Sequence, residues 1–173
     1  GWPESSLYYA GPMVADDWEN DGANLVIGVR AWGSFYGWAS VVPPPVSPDA
    51  FHISTWSDSV GGDSPNSLVW EGFCEDWSWA YSGLIKDPRA QSSGQACFEI
   101  TCMLSQSDWF RPSTQEGTRY WISVSAKYDT NVPNYPWGWV TRKNSYQAGA
   151  IAIEEIQGTG PWPPTVGSSF AGG

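Results

Sequence analysis

Three aromatic residues at alternate positions form the most suggestive chemical pattern in the sequence. Trp77, Trp79 and Tyr81 share one face of an extended segment, over a length of about 13 Å at the rise of a β-strand. Flat aromatic rings stack on the apolar faces of sugars, and Trp and Tyr are also enriched in protein–protein contacts. The stripe therefore predicts a glycan-binding or partner-binding surface, and burial in the core is the structural alternative.

An acidic segment near the N-terminus is the candidate metal site. Asp17, Glu19 and Asp21 alternate ahead of Gly22, a pattern that resembles the start of a calcium loop. The twelfth position is Gly28 rather than Glu and no helical pattern flanks the segment, so the sequence is not an EF-hand. We expect either a structural calcium site in a loop or a solvated acidic hairpin loop, and no other cofactor.

The three cysteines limit the possible disulfides. Cys97 and Cys102 are five residues apart on one predicted strand, so they face opposite sides and cannot pair without breaking it. Cys102 shares an apolar face with Phe98 and Ile100 and is typical of a buried small residue. We therefore predict a bond between Cys74 and Cys97, with free thiols or an intermolecular bond as alternatives.

Catalytic patterns are weak. A glycosidase needs two carboxylates that face each other, and Glu99 is a mid-strand Glu without an identifiable partner. His52 is the only histidine, and Ser54 shares its face, but no Ser or Cys lies in a nucleophile-elbow context. We predict no catalytic residue, and a glycosidase is the least favoured alternative.

Alternation of apolar and polar residues predicts the elements that position these groups. Residues 95–104 alternate most clearly, with one apolar face made of Ala96, Phe98, Ile100, Cys102 and Leu104. Residues 120–128 repeat the pattern, with three residues pointing outward: Ser123, Ser125 and Lys127. Residues 25–32 are a third strand, with four residues pointing inward: Leu25, Ile27, Val29 and Ala31. Shorter strands separated by Gly and Pro complete an all-β fold, an antiparallel β-sandwich of jelly-roll type.

Composition limits the partners. The 173 residues suffice for one domain, and 8 basic residues in a chain of net charge −10 argue against a nucleic-acid partner. No run of 18 apolar residues is present, so no membrane span is expected. The 13 Trp, 19 Gly and 14 Pro, together with a possible cysteine pair, favour a secreted, extracellular or cell-surface location.

The C-terminal residues differ from the rest because they are rich in Gly and Pro and do not alternate. We predict a single β-sandwich domain over residues 1–157 and a tail over 158–173 that docks on its own domain or on a neighbouring copy. Trp162, which lies between two prolines, is the expected anchor of the tail. Trp162 and Trp2 are therefore assigned to an interface between copies.

Several aromatic–glycine segments resemble an uncharacterised family of β-sandwich domains in secreted bacterial surface proteins. The segments include residues 14–18, 31–38, 68–71, 116–126 and 137–141, together with Trp56 and Asp58. The resemblance covers residues 12–156 and implies the sandwich fold. It also implies fold packing for six tryptophans: Trp18, Trp32, Trp56, Trp70, Trp121 and Trp139. It carries no chemistry.

Two functions from different classes follow from these patterns. The leading expectation is a non-catalytic extracellular structural protein that assembles with copies of itself into a surface layer or filament, since exposed strand edges are templates for pairing. The alternative is a carbohydrate-binding module that holds a polysaccharide on Trp77, Trp79 and Tyr81.

Overall fold

The computed structural model describes residues 2–8, 13–20, 24–61, 64–86, 94–113, 115, 118–129, 133–141, 151–154 and 165–169. For Trp2, Thr141 and the last two segments, the description covers the backbone. These residues form eleven strands, numbered β1 to β11 in chain order, and a single 3-10 turn at Gln106–Asp108.

The strands make two sheets. The five-stranded sheet has the order β1 (Trp2–Ser5), β9 (Trp137–Thr141), β3 (Gly28–Phe35), β7 (Gln95–Met103) and β6 (Trp77–Ile85). The six-stranded sheet has the order β11 (Thr165–Ser169), β10 (Ile151–Glu154), β2 (Met13–Glu19), β8 (Arg119–Lys127), β4 (Ala50–Asp58) and β5 (Pro65–Cys74).

All neighbouring strands in both sheets are antiparallel, and the sheets pack face to face around one core. Strands β2 and β4 lie in the six-stranded sheet, and β3, between them in sequence, lies in the five-stranded sheet. Strand β7 then pairs with β3, and β8 lies between β2 and β4. The predicted all-β antiparallel sandwich is confirmed. Within the described residues, no helix has the length and apolar character that a membrane crossing requires.

The core contains the faces that alternation predicted for β7 and β8. All five apolar-face residues of the β7 segment are buried in it: Ala96, Phe98, Ile100, Cys102 and Leu104. From the six-stranded sheet, Phe51, Ile53, Val124 and Ala126 meet them. The rings of Phe35 and Phe98 meet edge to face, with centroids 5.7 Å apart. Aromatic and β-branched residues thus fill the space between the sheets, as expected for a sandwich.

The outer face of the six-stranded sheet differs from the prediction. Ser123 and Ser125 of β8 point away from the core, as expected, but both are fully buried rather than solvated. They adjoin a second apolar cluster on this face, made of Met13, Ala15, Trp56 and Trp121. The outer face of the six-stranded sheet is therefore buried at these positions. The serines at alternate positions of β8 do not indicate this burial, because polar residues there predict a solvated face.

Two element boundaries also differ from the prediction. Strand β2 runs through Asp17 and Glu19, where a calcium loop or hairpin loop was expected. Strand β3 begins at Gly28 rather than residue 25, and Ile27, predicted to face inward, is 44% exposed. Local charge and apolar character mislead here because pairing with β8 and β7 decides where these strands lie.

The predicted tail contains β11, which pairs with β10 of the same chain. The expected boundary at residue 157 lies outside the described residues, so the division into a domain and a tail stays a prediction.

Candidate functional site

Trp77, Trp79 and Tyr81 lie on one face of β6, as predicted, and we call this set the aromatic shelf. The register of β6 with β7 places them opposite Cys102, Ile100 and Phe98. Those β7 residues face the core. The aromatic shelf is therefore an extension of the inner face of the five-stranded sheet, at the strand that ends the sheet.

Exposure increases along the aromatic shelf. Trp77 packs against the core, and its ring meets Phe51 of the opposite sheet at a centroid distance of 5.2 Å. Trp79 and Tyr81 contact Phe98 of their own sheet, at 5.7 and 6.1 Å between centroids. They remain 42% and 41% exposed. The two rings are thus held by Phe98 while much of their surface is open to solvent.

The backbone of β6 adds hydrogen-bonding groups beside these rings. Strand β6 is the last strand of its sheet in the described part of the chain, so its outer N–H and C=O groups have no ladder partner there. The strand sequence, WSWAYSGLI, contains neither a charge nor a proline. Exposed rings beside free backbone groups suit an uncharged, hydroxyl-rich ligand or another extended chain.

A second exposed tryptophan, Trp32, lies on the outer face of the five-stranded sheet. The family resemblance implied packing for Trp32, but its side chain is 42% exposed. Its cross-strand neighbour Glu99 is in an ion pair with Arg30, with Nε and Oε1 3.3 Å apart. Glu99, the residue considered as a glycosidase acid, is thus the partner of an arginine. The sequence signal for this exposure is the alternation of β3, because Ala31 is predicted to point inward and its neighbour Trp32 therefore points outward.

Trp137 differs from Trp32, because its side chain is fully buried. A Cβ at Gly33 would lie 2.0 Å from Nε1 of Trp137, so the indole occupies the space that a side chain on β3 would need. This burial is possible because position 33, in the neighbouring strand β3, is a glycine. Gly33 pairs in register with Trp139, two residues after Trp137.

His52 lies on the buried outer face of the six-stranded sheet. Its Nε2 is 2.9 Å from Oε2 of Glu71, whose side chain is 48% exposed. The rings of Tyr8 and Phe73 flank the imidazole at centroid distances of 4.4 and 5.0 Å. Burial lowers the pKa of His52, and the hydrogen bond and charge of Glu71 oppose that effect. Ser54 is fully buried, and its Oγ accepts a hydrogen bond from Trp56 Nε1 at 3.0 Å, so its hydroxyl is not presented to a substrate.

The predicted calcium residues lie partly outside the described part of the chain. Asp17 is buried on β2, and its Oδ2 is 3.8 Å from Nε of Arg119, which also lies 3.9 Å from Asp58. Glu19 is exposed two residues further along β2, and Asp21 falls outside the described residues. Among the residues that the structure describes, no group of three acidic, His or Cys side chains is placed to hold a metal ion. The calcium site stays a prediction.

The cysteines are free thiols, and the predicted bond between Cys74 and Cys97 is not formed. Cys74 faces the core together with Cys102, whereas Cys97 lies on the other face of β7, outside that cluster. The prediction correctly assigned Cys97 and Cys102 to opposite faces, but it did not foresee that Cys74 ends its strand in the core. Burial raises the pKa of Cys97.

The predicted interface residues are less well defined. The backbone of Trp2 pairs with Thr141 in β9, so Trp2 lies in an edge strand of the five-stranded sheet. Trp162 lies outside the described residues. Their assignment to contacts between copies stays a prediction.

The two-sheet architecture defines the protein as an all-β sandwich domain, with the aromatic shelf on β6 at the edge of the five-stranded sheet. A family model described as a domain of unknown function, DUF7901, matches residues 1–170, and the chain belongs to this family. No curated protein and no solved structure matches the chain.

Proposed function

We propose that this chain is a non-catalytic extracellular domain that binds a neutral polysaccharide along the aromatic shelf. The observation that carries the proposal is the state of Trp79 and Tyr81, which are 42% and 41% exposed while their inner edges rest on Phe98. Rings fixed in this way lose little conformational freedom when a ligand stacks on them.

The charge of the molecule selects the class of polysaccharide. The chain carries a net charge of −10, and β6 itself has no charged residue. An anionic polymer would be repelled by the protein as a whole, whereas a neutral glycan would not. Its hydroxyl groups would find partners in the outer backbone groups of β6, while its apolar ring faces cover Trp79 and Tyr81.

Retention on insoluble polysaccharides tests the proposal. The protein would be incubated with cellulose, chitin and xylan, and the bound fraction measured as a function of protein concentration. The Trp79→Ala variant should bind roughly tenfold more weakly, since the loss of one stacking ring corresponds to about 1.4 kcal/mol. The Trp32→Ala variant is the matched control, because Trp32 is equally exposed but lies on the outer face of the sheet.

The outcomes are distinct. Weaker binding by Trp79→Ala with unchanged binding by Trp32→Ala supports the aromatic shelf as the site. Equal loss in both variants, or no retention of the unmodified protein on any of the three polysaccharides, overturns the proposal.

A second candidate function, self-association into an extracellular structural assembly, is favoured by the edge of β6. Natural edge strands usually carry charges, prolines or strong bulges that prevent pairing. The nine residues of β6 include no charge and no proline, and its register shifts once, between Tyr81 and Gly83. Light scattering over a range of concentrations tests this function. Ala80→Lys on β6 should reduce the particle size, whereas Ser67→Lys on β5 should not; a monomer at every concentration overturns it.

A further inference from the structure

Cys74 and Cys102 occupy corresponding positions on the two sheets. Cys74 ends β5 and pairs in register with Phe51 of β4. Cys102 of β7 pairs in register with Trp77 of β6. The rings of Phe51 and Trp77 meet edge to face across the interface between the sheets, at a centroid distance of 5.2 Å. The two cysteines therefore lie beside the same contact between the sheets.

The thiols themselves are neighbours. Cys74 and Cys102 are each 2% exposed and belong to the same buried cluster. Each thiol changes the pKa of the other, which places the two side chains next to each other. Sγ of Cys74 also lies 3.8 Å from the carbonyl oxygen of Met103, the residue after Cys102, and 3.4 Å from that of Asp76. The two sulfur atoms are not bonded, and Sγ of Cys74 lies against the backbone beside Cys102.

We propose that Cys74 and Cys102 are the two halves of a latent disulfide that ties the two sheets together under oxidising conditions. Cys97, on the opposite face of β7, takes no part. Cys102 lies opposite Trp77 of the aromatic shelf, but the disulfide requires no ligand there, so its test is separate from that of the proposed function.

The reaction is thiol–disulfide exchange with a small disulfide such as oxidised glutathione. The thiolate of Cys74 attacks one sulfur of the oxidant, whose S–S bond breaks, and one glutathione thiolate leaves. The thiolate of Cys102 then attacks the sulfur of Cys74 in this mixed disulfide and displaces the second glutathione. One S–S bond is broken and one is formed in the protein, and the two protein protons end on two molecules of reduced glutathione.

The environment of the thiols sets the order of these steps. The hydrogen bond from Cys102 lowers the pKa of Cys74, while the same contact and burial raise the pKa of Cys102. Cys74 is thus the thiol more readily deprotonated and the first to attack. It also ends β5, directly before the exposed residues Glu75 and Asp76.

Refolding in a glutathione redox buffer, followed by peptide mapping, tests the pairing. The remaining thiols are alkylated, and the chain is cut after glutamate, because Glu99 lies between Cys97 and Cys102. We expect the peptide 72–75 to be linked to the peptide 100–116, and Cys97 to be alkylated. Near-ultraviolet circular dichroism of the refolded protein checks that the native packing is present.

Thermal unfolding of the same samples supplies a second readout. A disulfide that closes the loop from Cys74 to Cys102 should raise the unfolding midpoint by about 5–10 °C relative to the reduced protein. The Cys97→Ser variant should keep both the link and the shift, and the Cys102→Ser variant should lose both. Three alkylated cysteines in the natively refolded protein, or a link that contains Cys97, overturns the proposal.

Discussion

Strands β5 and β6 end their sheets on the same side of the sandwich, and they manage that position differently. Strand β5 begins at a proline, carries Glu71 and shifts its register twice against β4. Strand β6 follows after the short turn at Glu75 and Asp76 and has neither charge nor proline, with one register shift between Tyr81 and Gly83. Within the described residues, one edge is protected against pairing, and the other presents an open backbone and exposed rings.

The comparison shows that exposure, rather than the spacing of aromatic residues, distinguishes a surface site from a core stripe. Trp70 of β5 packs against the core beside Phe110, with ring centroids 5.8 Å apart. Its indole also covers Gly72, where a Cβ would lie 2.8 Å from Cζ2 of Trp70. Trp79 of β6 has no such cover and is 42% exposed.

The largest expected effect tests this difference through stability. Trp70→Ala should lower the free energy of unfolding by about 2–3 kcal/mol, because it leaves a cavity beside the core. Trp79→Ala should lower it by about 1 kcal/mol, since its ring is largely solvated already. Urea unfolding followed by far-ultraviolet circular dichroism measures both. Equal losses would break the comparison, because they would mean that Trp79 is a packing residue.

A smaller effect is expected at the register shift in β6. Gly83 has a φ of +115°, a conformation that residues with a side chain rarely adopt, although no atom lies within 4 Å of the position of its Cβ. Gly83→Ala should therefore lower the free energy of unfolding by about 1–2 kcal/mol through backbone strain alone. Gly94→Ala is the control, because its Cβ would lie at an ordinary contact distance of 3.4 Å from the Ile85 carbonyl oxygen. No difference between the two variants would contradict a strained turn in β6.

Alternation predicted the strands that form the centre of each sheet. The inward faces of β7 and β8 were assigned correctly because each strand buries one face against the opposite sheet, so that residues two apart share their environment. The aromatic shelf was assigned to one face for the same reason. Local pattern is sufficient where burial on one face dominates.

Contacts between distant residues decided the remainder. Asp17 lies in a strand because β2 pairs with β8, where Arg119 meets its carboxylate. The burial of Trp137 depends on Gly33 in the neighbouring strand. Cys74 lies beside Cys102 because β5 and β7 belong to different sheets that face each other. None of these partners is close in sequence, and no periodicity identifies them.

The smallest expected effect concerns Glu71, the charged residue of β5, and its buried partner His52. Burial lowers the pKa of His52 below its ordinary value of 6.5, so the folded protein binds fewer protons than the unfolded chain between that value and the lower folded pKa. The free energy of unfolding should therefore fall as the pH decreases through this interval. The ammonium group of Lys127, 5.9 Å from the centroid of the Phe73 ring, keeps its charge there, because even its ordinary pKa of 10.5 lies far above this interval.

Two variants should change this pH dependence in opposite directions. His52→Gln removes the titrating group and should flatten the dependence of the unfolding free energy on pH just below the ordinary histidine value of 6.5. Glu71→Gln keeps a hydrogen-bonding group but removes the charge that opposes the effect of burial, so the pKa of His52 should fall further and the loss of stability on acidification should become larger. Denaturant unfolding at a series of pH values measures both slopes. If Glu71→Gln left the slope unchanged, Glu71 would protect the edge of β5 without any coupling to His52. A smaller slope in Glu71→Gln would contradict the assigned role of its charge.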